Sequence, residues 1–424
     1  MIKRGGPMIR ILHFADLHLG VENYGKVDPA SGLSTRIRDF LARLDEVVEF
    51  ACTNQVDVVC FAGDAFRNRF PEPTYQRDFA RRIARLARAG IPVVLVAGNH
   101  DQPAVAAKAT TLDIFMALTV ENVYVAAREE TLFRIPIGEK GILQVAAFPY
   151  PNRGWLGLPE EMRRRSLQEQ DEYLRAAAAR KLSGLAARVD PSLPAVLVAH
   201  VLTLGAELGT EQTMTLGNEV HVMPSSLARP EYDAVLLGHV HRHQVVRSEA
   251  PPILYAGSLE RVDFGDEGLE KGFYVVEIED RKGDRRAVSY RFIPVQARPF
   301  LSLRVEALKG DAMQKALRAI AEAREAGRLE QAVVRLQLQV SEQEAARIDL
   351  QALRRALDGA FCVAGIGLEV ERKDRVPVPG PLEGLEPLNA LEQYWISKGV
   401  PLERREALIR YARELMEEGD EKLH

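Results

Sequence analysis

The stretch IPVVLVAGNHD at residues 91–101 joins a near-continuous apolar run to a short group of polar side chains. Such a run predicts a strand that is covered on both faces, as strands are in an α/β sheet. The glycine permits a tight turn at the strand end. Asn99 then offers a neutral oxygen ligand, and His100 would lie beside a bound metal ion rather than on it. The stretch therefore predicts a strand end that carries chemistry.

Four further segments repeat this arrangement of an apolar run followed by ligand-type residues, namely FADLHLG (14–20), AGDAF (62–66), VLVAH (196–200) and LLGHVH (236–241). Together the five segments contain five of the nine histidines of the chain. Residues two apart at a strand end point the same way, so Asp16 can act with His18, and His239 with His241. The carboxylate of Asp64 has two oxygens and can bridge two cations. Strand ends of an α/β fold meet in one crevice, so the segments predict one metal site.

Each segment also has a simpler explanation when it is taken alone. A single strand-end histidine is more often a core or turn residue, Asp64 could cap a helix, and Asn99 could sit in a turn. These explanations are independent of one another, so five such segments in a row favour the metal site. Side-chain sets of His, Asp and Asn accept manganese, iron or zinc, so the residues leave the identity of the metal open.

The pattern along the chain predicts three regions. Strands and helices alternate to about residue 279, with strands at 9–15, 56–62, 91–97, 122–127, 142–148, 195–200, 234–239, 253–258 and 272–279, and helices at 35–53 and 75–89. A small α+β unit follows, with strands at 300–307, 332–340 and 361–371 and helices at 311–326 and 342–358. The stretch VPVPGP (376–381) predicts a stiff linker before two short amphipathic helices. We expect domains at 8–295, 298–375 and 382–420, the last docking either on the body of the protein or on a partner.

Composition narrows the class of protein. The chain has 424 residues, of which 46% are hydrophobic and 27% charged, as expected for a globular protein of two or three domains. A net charge of −4 excludes a strongly basic footprint, so any nucleic-acid surface must be local. The three cysteines form no disulfide framework and no CxxC pair, which favours a reducing cytoplasm. We expect no membrane segment, because no apolar stretch reaches about 18 residues.

The order D-x-H, GD, GNHD, H and GHxH resembles the calcineurin-like metallophosphoesterase superfamily. The resemblance implies an α/β fold with a β-sandwich flanked by helices and a site for two divalent cations, commonly Mn²⁺ in the nucleases. It implies that Asp64 is shared by both cations. The first would also be held by Asp16, His18 and His241, and the second by Asn99, His200 and His239.

Two further residues of the GNHD segment receive roles through this resemblance. His100 would stabilise the transition state or protonate the leaving oxygen. Asp101 would orient His100 or, equally well, cap a helix. The chemistry fits the residue set, because two cations activate a water molecule and stabilise charge on the attacked phosphate.

The whole-chain order of core, small α+β unit and tethered helix pair is similar to the SbcD family of DNA repair nucleases. The most specific segments are FADLHLG, GDAFRNRFP (63–71) and YAGSLERVDFGDEGLEKGF (255–273). The resemblance implies an exonuclease and endonuclease acting on double-stranded ends and single-stranded DNA. It implies a capping domain, C-terminal helices that bind the coiled coil of an SbcC-type ATPase, and a homodimer formed by helices at about 74–89 and 104–118. The stripe Phe79, Ile83 and Leu86 could serve the dimer, with burial in the core as the default expectation.

One position departs from the family pattern. Archaeal and eukaryotic members carry a histidine after GDAF, where this chain has Arg67. That histidine is implicated in exonucleolytic cleavage, so the balance of exonuclease and endonuclease activity stays open. Arg67 could bind a phosphate through its planar guanidinium group. We predict DNA contacts at Arg67 and Arg69 first, and at Arg242 and His243 next.

Two other functions use the same residues. One is a phosphodiesterase or phosphatase of small molecules or phosphoproteins, which would need neither the small α+β unit nor the tethered helices. The other is an inactive scaffold of a repair ATPase complex, which would not need all seven ligand positions intact.

Overall fold

The computed structural model of the chain describes residues 8–103, 108–209, 219–279, 285–308, 310–371 and 387–420. Its strands are β1 Ile9–Phe14, β2 Val58–Phe61, β3 Val93–Val96, β4 Val123–Ala126, β5 Thr131–Pro136, β6 Ile142–Phe148, β7 Ala195–His200, β8 Leu202–Thr203, β9 His221–Val222, β10 Ala234–Gly238, β11 Gln244–Arg247, β12 Ile253–Tyr255, β13 Gly272–Ile278, β14 Val288–Pro294, β15 Phe300–Ala307, β16 Val333–Ser341 and β17 Cys362–Glu371. Its helices are α1 Thr35–Thr53, α2 Pro73–Arg88, α3 Asp113–Ala117, α4 Glu160–Arg163, α5 Leu167–Ala186, α6 Pro224–Leu227, α7 Ala312–Glu325, α8 Glu342–Ala345, α9 Leu350–Ala356, α10 Pro387–Ser397 and α11 Leu402–Asp420.

Two six-stranded sheets carry the first part of the chain. The first has the order β14-β13-β1-β2-β3-β4 and the second the order β11-β12-β10-β7-β6-β5. In the first sheet β1 to β4 are parallel, and in the second β6, β7, β10 and β12 are parallel. Strands β13, β14, β5 and β11 pair antiparallel with their neighbours. The carboxyl ends of the central parallel strands therefore meet at one edge of each sheet.

Burial explains why the central strands read as continuous apolar runs. In β1, Ile9 and Ile11 belong to the apolar layer between the sheets, whereas Leu12 and Phe14 belong to the layer shared with α1 and α2. On the second sheet, a third apolar layer includes Leu174 and Leu182 of α5. Both faces of both sheets are thus covered. The predicted α/β sandwich flanked by helices is confirmed.

Helix α2 buries the stripe that was considered for a dimer contact. Phe79, Ile83 and Leu86 have no exposed surface and pack in the layer between α2 and the first sheet. The default expectation of core burial is therefore correct for these three residues. The expected helix at 104–118 is represented by α3, and residues 104–107 lie outside the described part of the chain.

The later part of the chain forms a three-stranded sheet in the order β15-β16-β17, followed by α10 and α11. By internal contacts, the chain divides into two units. One comprises Met1–Leu303, Leu317–Leu336 and Leu350–Gly367, and the other comprises Arg304–Ala316, Gln337–Asp349 and Leu368–His424. This division crosses the strands of the small sheet, and the domain boundaries expected from sequence stay a prediction. The predicted linker 376–381 lies outside the described residues.

Among the described helices, none combines the length and the apolar character that a membrane crossing requires.

Candidate metal centre

The carboxyl ends of five strands deliver the predicted ligands to one place. Asp16 and His18 follow β1, Asp64 follows β2, and Asn99 follows β3, all in the first sheet. His200 ends β7, while His239 and His241 follow β10, its parallel neighbour in the second sheet. We call these seven residues the candidate metal centre. Its buried members include Asp16 and His200, which have no exposed surface.

One half of the centre is formed by Asp16, His18 and His241, whose ligand atoms all lie within 4.8 Å of one another. The Nε2 atoms of His18 and His241 lie 2.9 Å apart. Asp64 approaches this group, with its Oδ2 atom 3.6 Å from His18 Nε2. Two imidazole nitrogens and two carboxylates that converge in this way suit a divalent cation.

The other half is formed around His200. Its Nε2 atom lies 3.5 Å from Asp64 Oδ2 and 3.0 Å from Asn99 Oδ1. The same Asn99 oxygen is 3.2 Å from His239 Nδ1. The Oδ2 atom of Asp64 therefore lies between His18 of one half and His200 of the other, which is the position that a shared ligand needs.

Contacts behind the ligands fix the direction of their rings. His200 Nδ1 donates to the carbonyl of Ala62 at 2.7 Å, which leaves Nε2 as the nitrogen that faces Asp64. His239 Nε2 lies 3.0 Å from the buried carboxylate of Glu219, so that Nδ1 faces Asn99. A carboxylate or a carbonyl on the far nitrogen is the usual support of a metal-binding histidine. The residues present thus fit a pair of divalent cations.

Burial and charge set the protonation of the centre in the absence of metal. Burial, aided by His241, lowers the pKa of His18 well below its ordinary value, so its imidazole is neutral. Burial would raise the pKa of Asp64, but the charges of nearby histidines, His200 first, lower it well below its ordinary value. Burial opposes protonation of His200, yet Asp64 and Asp16 raise its pKa to about 9. Burial raises the pKa of Asp16 to about 7. Cations that bind here would therefore displace protons.

The glycines before the ligands leave room for side chains of other strand ends. A Cβ atom on Gly63 would lie 2.3 Å from Nδ1 of His200, and a Cβ atom on Gly98 would lie 2.1 Å from Oδ1 of Asp64. The segments AGD and AGN thus need glycine because loops from different strands interlock.

His100 lies at the border of the centre. Its backbone N–H donates to Asp64 Oδ1 at 2.9 Å, and its Nδ1 donates to the carbonyl of Arg67 at 2.7 Å. One ring nitrogen lies within 4.8 Å of ligand atoms of His18 and Asp64, so position alone does not separate His100 from the ligands. Arg67 is the residue that departs from the family pattern, and its backbone carbonyl orients the ring of His100.

The carboxylate of Asp101 binds backbone N–H groups of neighbouring loops, and its expected role in orienting His100 stays a prediction. Both carboxylate oxygens of Asp101 accept from backbone N–H groups, Oδ2 from Asp64 at 2.8 Å and Gly98 at 2.9 Å, and Oδ1 from Ala65 at 3.0 Å. Asp101 is fully buried, and its bonds join the loops after β2 and β3. It braces the loop that carries Asp64, because unpaired N–H groups of a buried turn need an acceptor.

The four predicted DNA contacts differ in their surroundings. Arg67 is half-buried and Arg69 is exposed, both in the loop between β2 and α2. Arg242 pairs with Glu207 at 2.5 Å, and the ring of His243 stacks on Phe292 with centroids 3.8 Å apart. The last two side chains therefore already have protein partners, and their DNA contacts stay predictions.

Two residues at the centre were not found from sequence. Glu219 lies outside the strand-end segments, and no spacing rule links a single glutamate to His239. Tyr150 follows β6 in the sequence AAFPYP and lies with its ring centroid 5.8 Å from that of His239. Tyr150 follows the carboxyl end of β6, a parallel neighbour of β7, and that position was the signal that could have indicated Tyr150.

Comparisons with known proteins identify the family of the chain. Residues 9–243 match the family model of the calcineurin-like phosphoesterases. The SbcD component of the SbcCD nuclease of Escherichia coli K12 is 29% identical over 284 residues, which are 65% of this chain and 66% of that protein. The SbcD component of Bacillus subtilis is 27% identical over 279 residues, 63% of this chain and 66% of that protein. DNA double-strand break repair protein Mre11 of Haloferax volcanii is 28% identical over 306 residues, 72% of this chain and 56% of that protein.

Among solved structures, a dimetal phosphatase from Danio rerio matches with a TM-score of 0.36 and 12% identity, covering 66% of this chain and 98% of that one. A TM-score below 0.5 identifies neither substrate nor partner.

The curated relatives confirm the predicted resemblance to SbcD-family nucleases. The family model spans more than half of the chain and includes all seven residues of the candidate metal centre. The chain therefore belongs to the calcineurin-like phosphoesterase family.

Proposed function

We propose that the protein is the metal-dependent DNA nuclease component of an SbcCD-type repair complex, and that it hydrolyses DNA phosphodiester bonds at a site for two divalent cations. The observation that carries the proposal is the position of Asp64 Oδ2, 3.6 Å from His18 Nε2 and 3.5 Å from His200 Nε2. The names of the relatives, an SbcCD nuclease component and the DNA double-strand break repair protein Mre11, supply the substrate class.

Two bound cations would activate a water molecule and offset negative charge on the attacked phosphate. The residues of the chain would supply proton transfer and the positioning of the ligands. His100 donates through Nδ1 to the carbonyl of Arg67, so its Nε2 atom is left to hydrogen-bond a phosphate oxygen or to exchange a proton with it. Asp101 keeps Asp64 in place through the backbone of its loop. We propose Mn²⁺ as the metal, with iron and zinc as the alternatives that the same ligand types accept.

Exposed apolar side chains support the proposed partners. On α10 and α11, Ile396, Leu402 and Tyr411 are exposed by 54%, 60% and 67%, as a surface for an SbcC-type coiled coil would require. Around α3, Ile114 is exposed by 51% and Leu118 by 68%. This second surface supports a homodimer, and because the stripe of α2 is buried, we assign the contact to α3 and the polar face of α2.

The test is a cleavage assay of the purified full chain on linear duplex DNA, on single-stranded circles and on a generic phosphodiester reagent, with Mn²⁺, Fe²⁺, Zn²⁺ and Mg²⁺ in turn. We expect Mn²⁺-dependent degradation of linear DNA and nicking of the circles. Hydrolysis of the reagent without cleavage of any DNA would instead indicate a phosphodiesterase of small substrates. Binding of metal with no hydrolysis at all would indicate an inactive scaffold.

A further inference from the structure

Tyr150 forms part of the wall of the candidate metal centre. Its ring centroid lies 5.8 Å from that of His239, at an interplanar angle of 33°, and 6.2 Å from that of His200. Its backbone N–H donates to the carbonyl of Ala97 at 2.9 Å, and its carbonyl accepts from Gln102 Nε2 at 3.0 Å. The loop that starts at Tyr150 is therefore fixed to the residues on either side of the GNHD segment.

The charges of two arginines influence the pKa of the Tyr150 hydroxyl. Burial and the charges of Glu219 and Asp64 raise the pKa of Tyr150, while Arg69 and Arg153 act in the opposite direction. Arg69 comes from the loop after β2 and Arg153 from the loop after β6, so two separate loops bring positive charge to the same aromatic side chain.

Within the described residues, the guanidinium group of Arg153 has N–H donors that no acceptor uses. Its Nη1 atom donates to Gln170 Oε1 at 3.1 Å, and Gln170 is itself anchored to the carbonyl of Arg165 at 3.0 Å. In the described part of the chain, its Nε and Nη2 atoms are buried and have no hydrogen-bond partner. Nearby Arg163 differs, because it lies 3.6 Å from the carboxylate of Glu160. A buried guanidinium donor without an acceptor is unfavourable, so an anion that reached Arg153 would gain by pairing with these donors.

An open pocket provides the space for that ligand. It has a volume of about 430 Å³ and is lined by Arg153, Gly154, Gly157, Leu158, Arg163 and Gln170. Its polar side chains are two guanidinium groups and one amide, without a carboxylate. The pocket thus suits an oxyanion with an apolar group attached, as in a phosphodiester backbone.

We propose that Arg153 binds a phosphate of the substrate strand outside the metal centre, with Tyr150 as the wall between that phosphate and the ligands. The inference rests on the proposed nuclease function. It adds a contact that sequence had not indicated, and it directs the strand over the loop 150–158. Arg153 is a phosphate-binding residue in this proposal and takes no part in the cleavage step.

The experiment compares Arg153→Gln with the wild type on two substrates, single-stranded DNA and the generic phosphodiester reagent. We expect the KM for DNA to rise about tenfold or more, because a charged hydrogen bond to phosphate is lost. The kcat on DNA and both constants for the reagent should stay within about twofold of the wild-type values. The slope of log(kcat/KM) for DNA against log[salt] should fall in magnitude by about one, since one phosphate contact is lost.

Two matched variants refine the result. Arg153→Lys keeps the charge without the planar fork and should recover part of the loss. Arg164→Gln removes an exposed arginine of the neighbouring turn and should change the KM for DNA less than about twofold.

Three results would overturn the inference. Equal losses on DNA and on the small reagent would show that Arg153 only supports the fold. An unchanged KM for DNA, with loss of pyrophosphate binding measured by calorimetry, would assign the pocket to a free oxyanion. A wild type that hydrolyses the reagent but neither binds nor cleaves DNA would refute the proposed function, and this inference with it.

Discussion

Four of the seven proposed ligands hold a left-handed backbone, with φ of 51° at Asp16, 48° at His18, 61° at Asp64 and 102° at His239. A residue with a side chain persists in this region only where its surroundings determine it, at a cost of about 1–3 kcal/mol. Hydrogen bonds between the loops hold the backbone in this conformation. The N–H of His18 donates to the carbonyl of Asp64, and the N–H of His239 donates to the carboxylate of Asp16. The ligand directions are therefore built into the fold.

His100 and Asp64 give a matched pair of variants. We expect His100→Ala to lower DNA cleavage by about 100-fold or more, as loss of a proton-transfer group does, while both metals stay bound. Asp64→Asn removes the charge between His18 and His200 and should lose at least one metal. Metal content by mass spectrometry and rates of DNA cleavage, determined for each variant, test these two expectations. If His100→Ala loses metal, then His100 is a ligand, as its distance to His18 and Asp64 permits.

Metal binding should depend on pH with a defined sign. Without metal, the pKa of Asp16 is raised to about 7 and that of His200 to about 9, so both carry protons over part of the neutral range. Cations compete with those protons, and the apparent Mn²⁺ affinity should rise as pH increases from about 6 to 9 and then level off. Calorimetry in two buffers of different ionisation enthalpy should detect release of about one to two protons at about pH 7. An affinity that does not change over this pH range would contradict these assignments.

At the scale of elements, the glycine at the end of β3 offers a test of the interlocked loops. In Gly98→Ala the new Cβ would lie 2.1 Å from Asp64 Oδ1 and 2.5 Å from Asp64 N. We expect the loop to shift, metal content to fall and the free energy of unfolding to decrease by about 1–3 kcal/mol. Gly184→Ala in α5 is the control, because nothing lies within 4 Å of its Cβ. That change should leave metal content unaltered and stabilise the helix by up to about 1 kcal/mol. Normal metal content in Gly98→Ala would show that the loop tolerates the side chain.

The central elements were predictable because burial on both faces leaves a strong signal. Helix α1 occupies 35–53 as expected, and β1, β6 and β7 follow their apolar runs. Strands β5, β11 and β14 were missed, because most of their residues are half-buried or exposed and their pattern resembles a polar connection. The two-residue strands β8 and β9 were missed as well. Edge strands are specified by pairing with a neighbour, which a single stretch of sequence does not reveal.

The site was predictable to the extent that ligand types stand at strand ends. Asp16, Asn99 and His200 could be named from local sequence. The role of Asp101 could not, because it depends on backbone groups of Asp64 and Ala65, more than thirty residues away in the chain. Glu219 and Tyr150 likewise act through contacts with His239 that only the folded chain creates.

At the scale of the whole molecule, the C-terminal helices should separate cleavage from partner binding. We expect a chain without residues 381–424 to keep its nuclease activity, because every proposed ligand lies before residue 242. The same chain should fail to capture an SbcC-type coiled coil in a pull-down assay, since it lacks the exposed apolar residues of α10 and α11. Replacing Leu402 and Tyr411 by serine in the full chain is a milder control. Capture by the truncated chain would refute the proposed role of these helices.

The pairing of β1 has a consequence for biosynthesis. This first strand lies between β2, which is made soon after it, and β13, which is made after every strand that carries a ligand. A nascent chain that has reached His241 already carries all seven ligands, yet β1 still lacks the neighbour at Gly272–Ile278. Translation must therefore pass Ile278 before the first sheet can close around β1. Stable uptake of metal would follow synthesis of the core, and a product stalled before residue 272 would hold a complete ligand set without the sheet that aligns it.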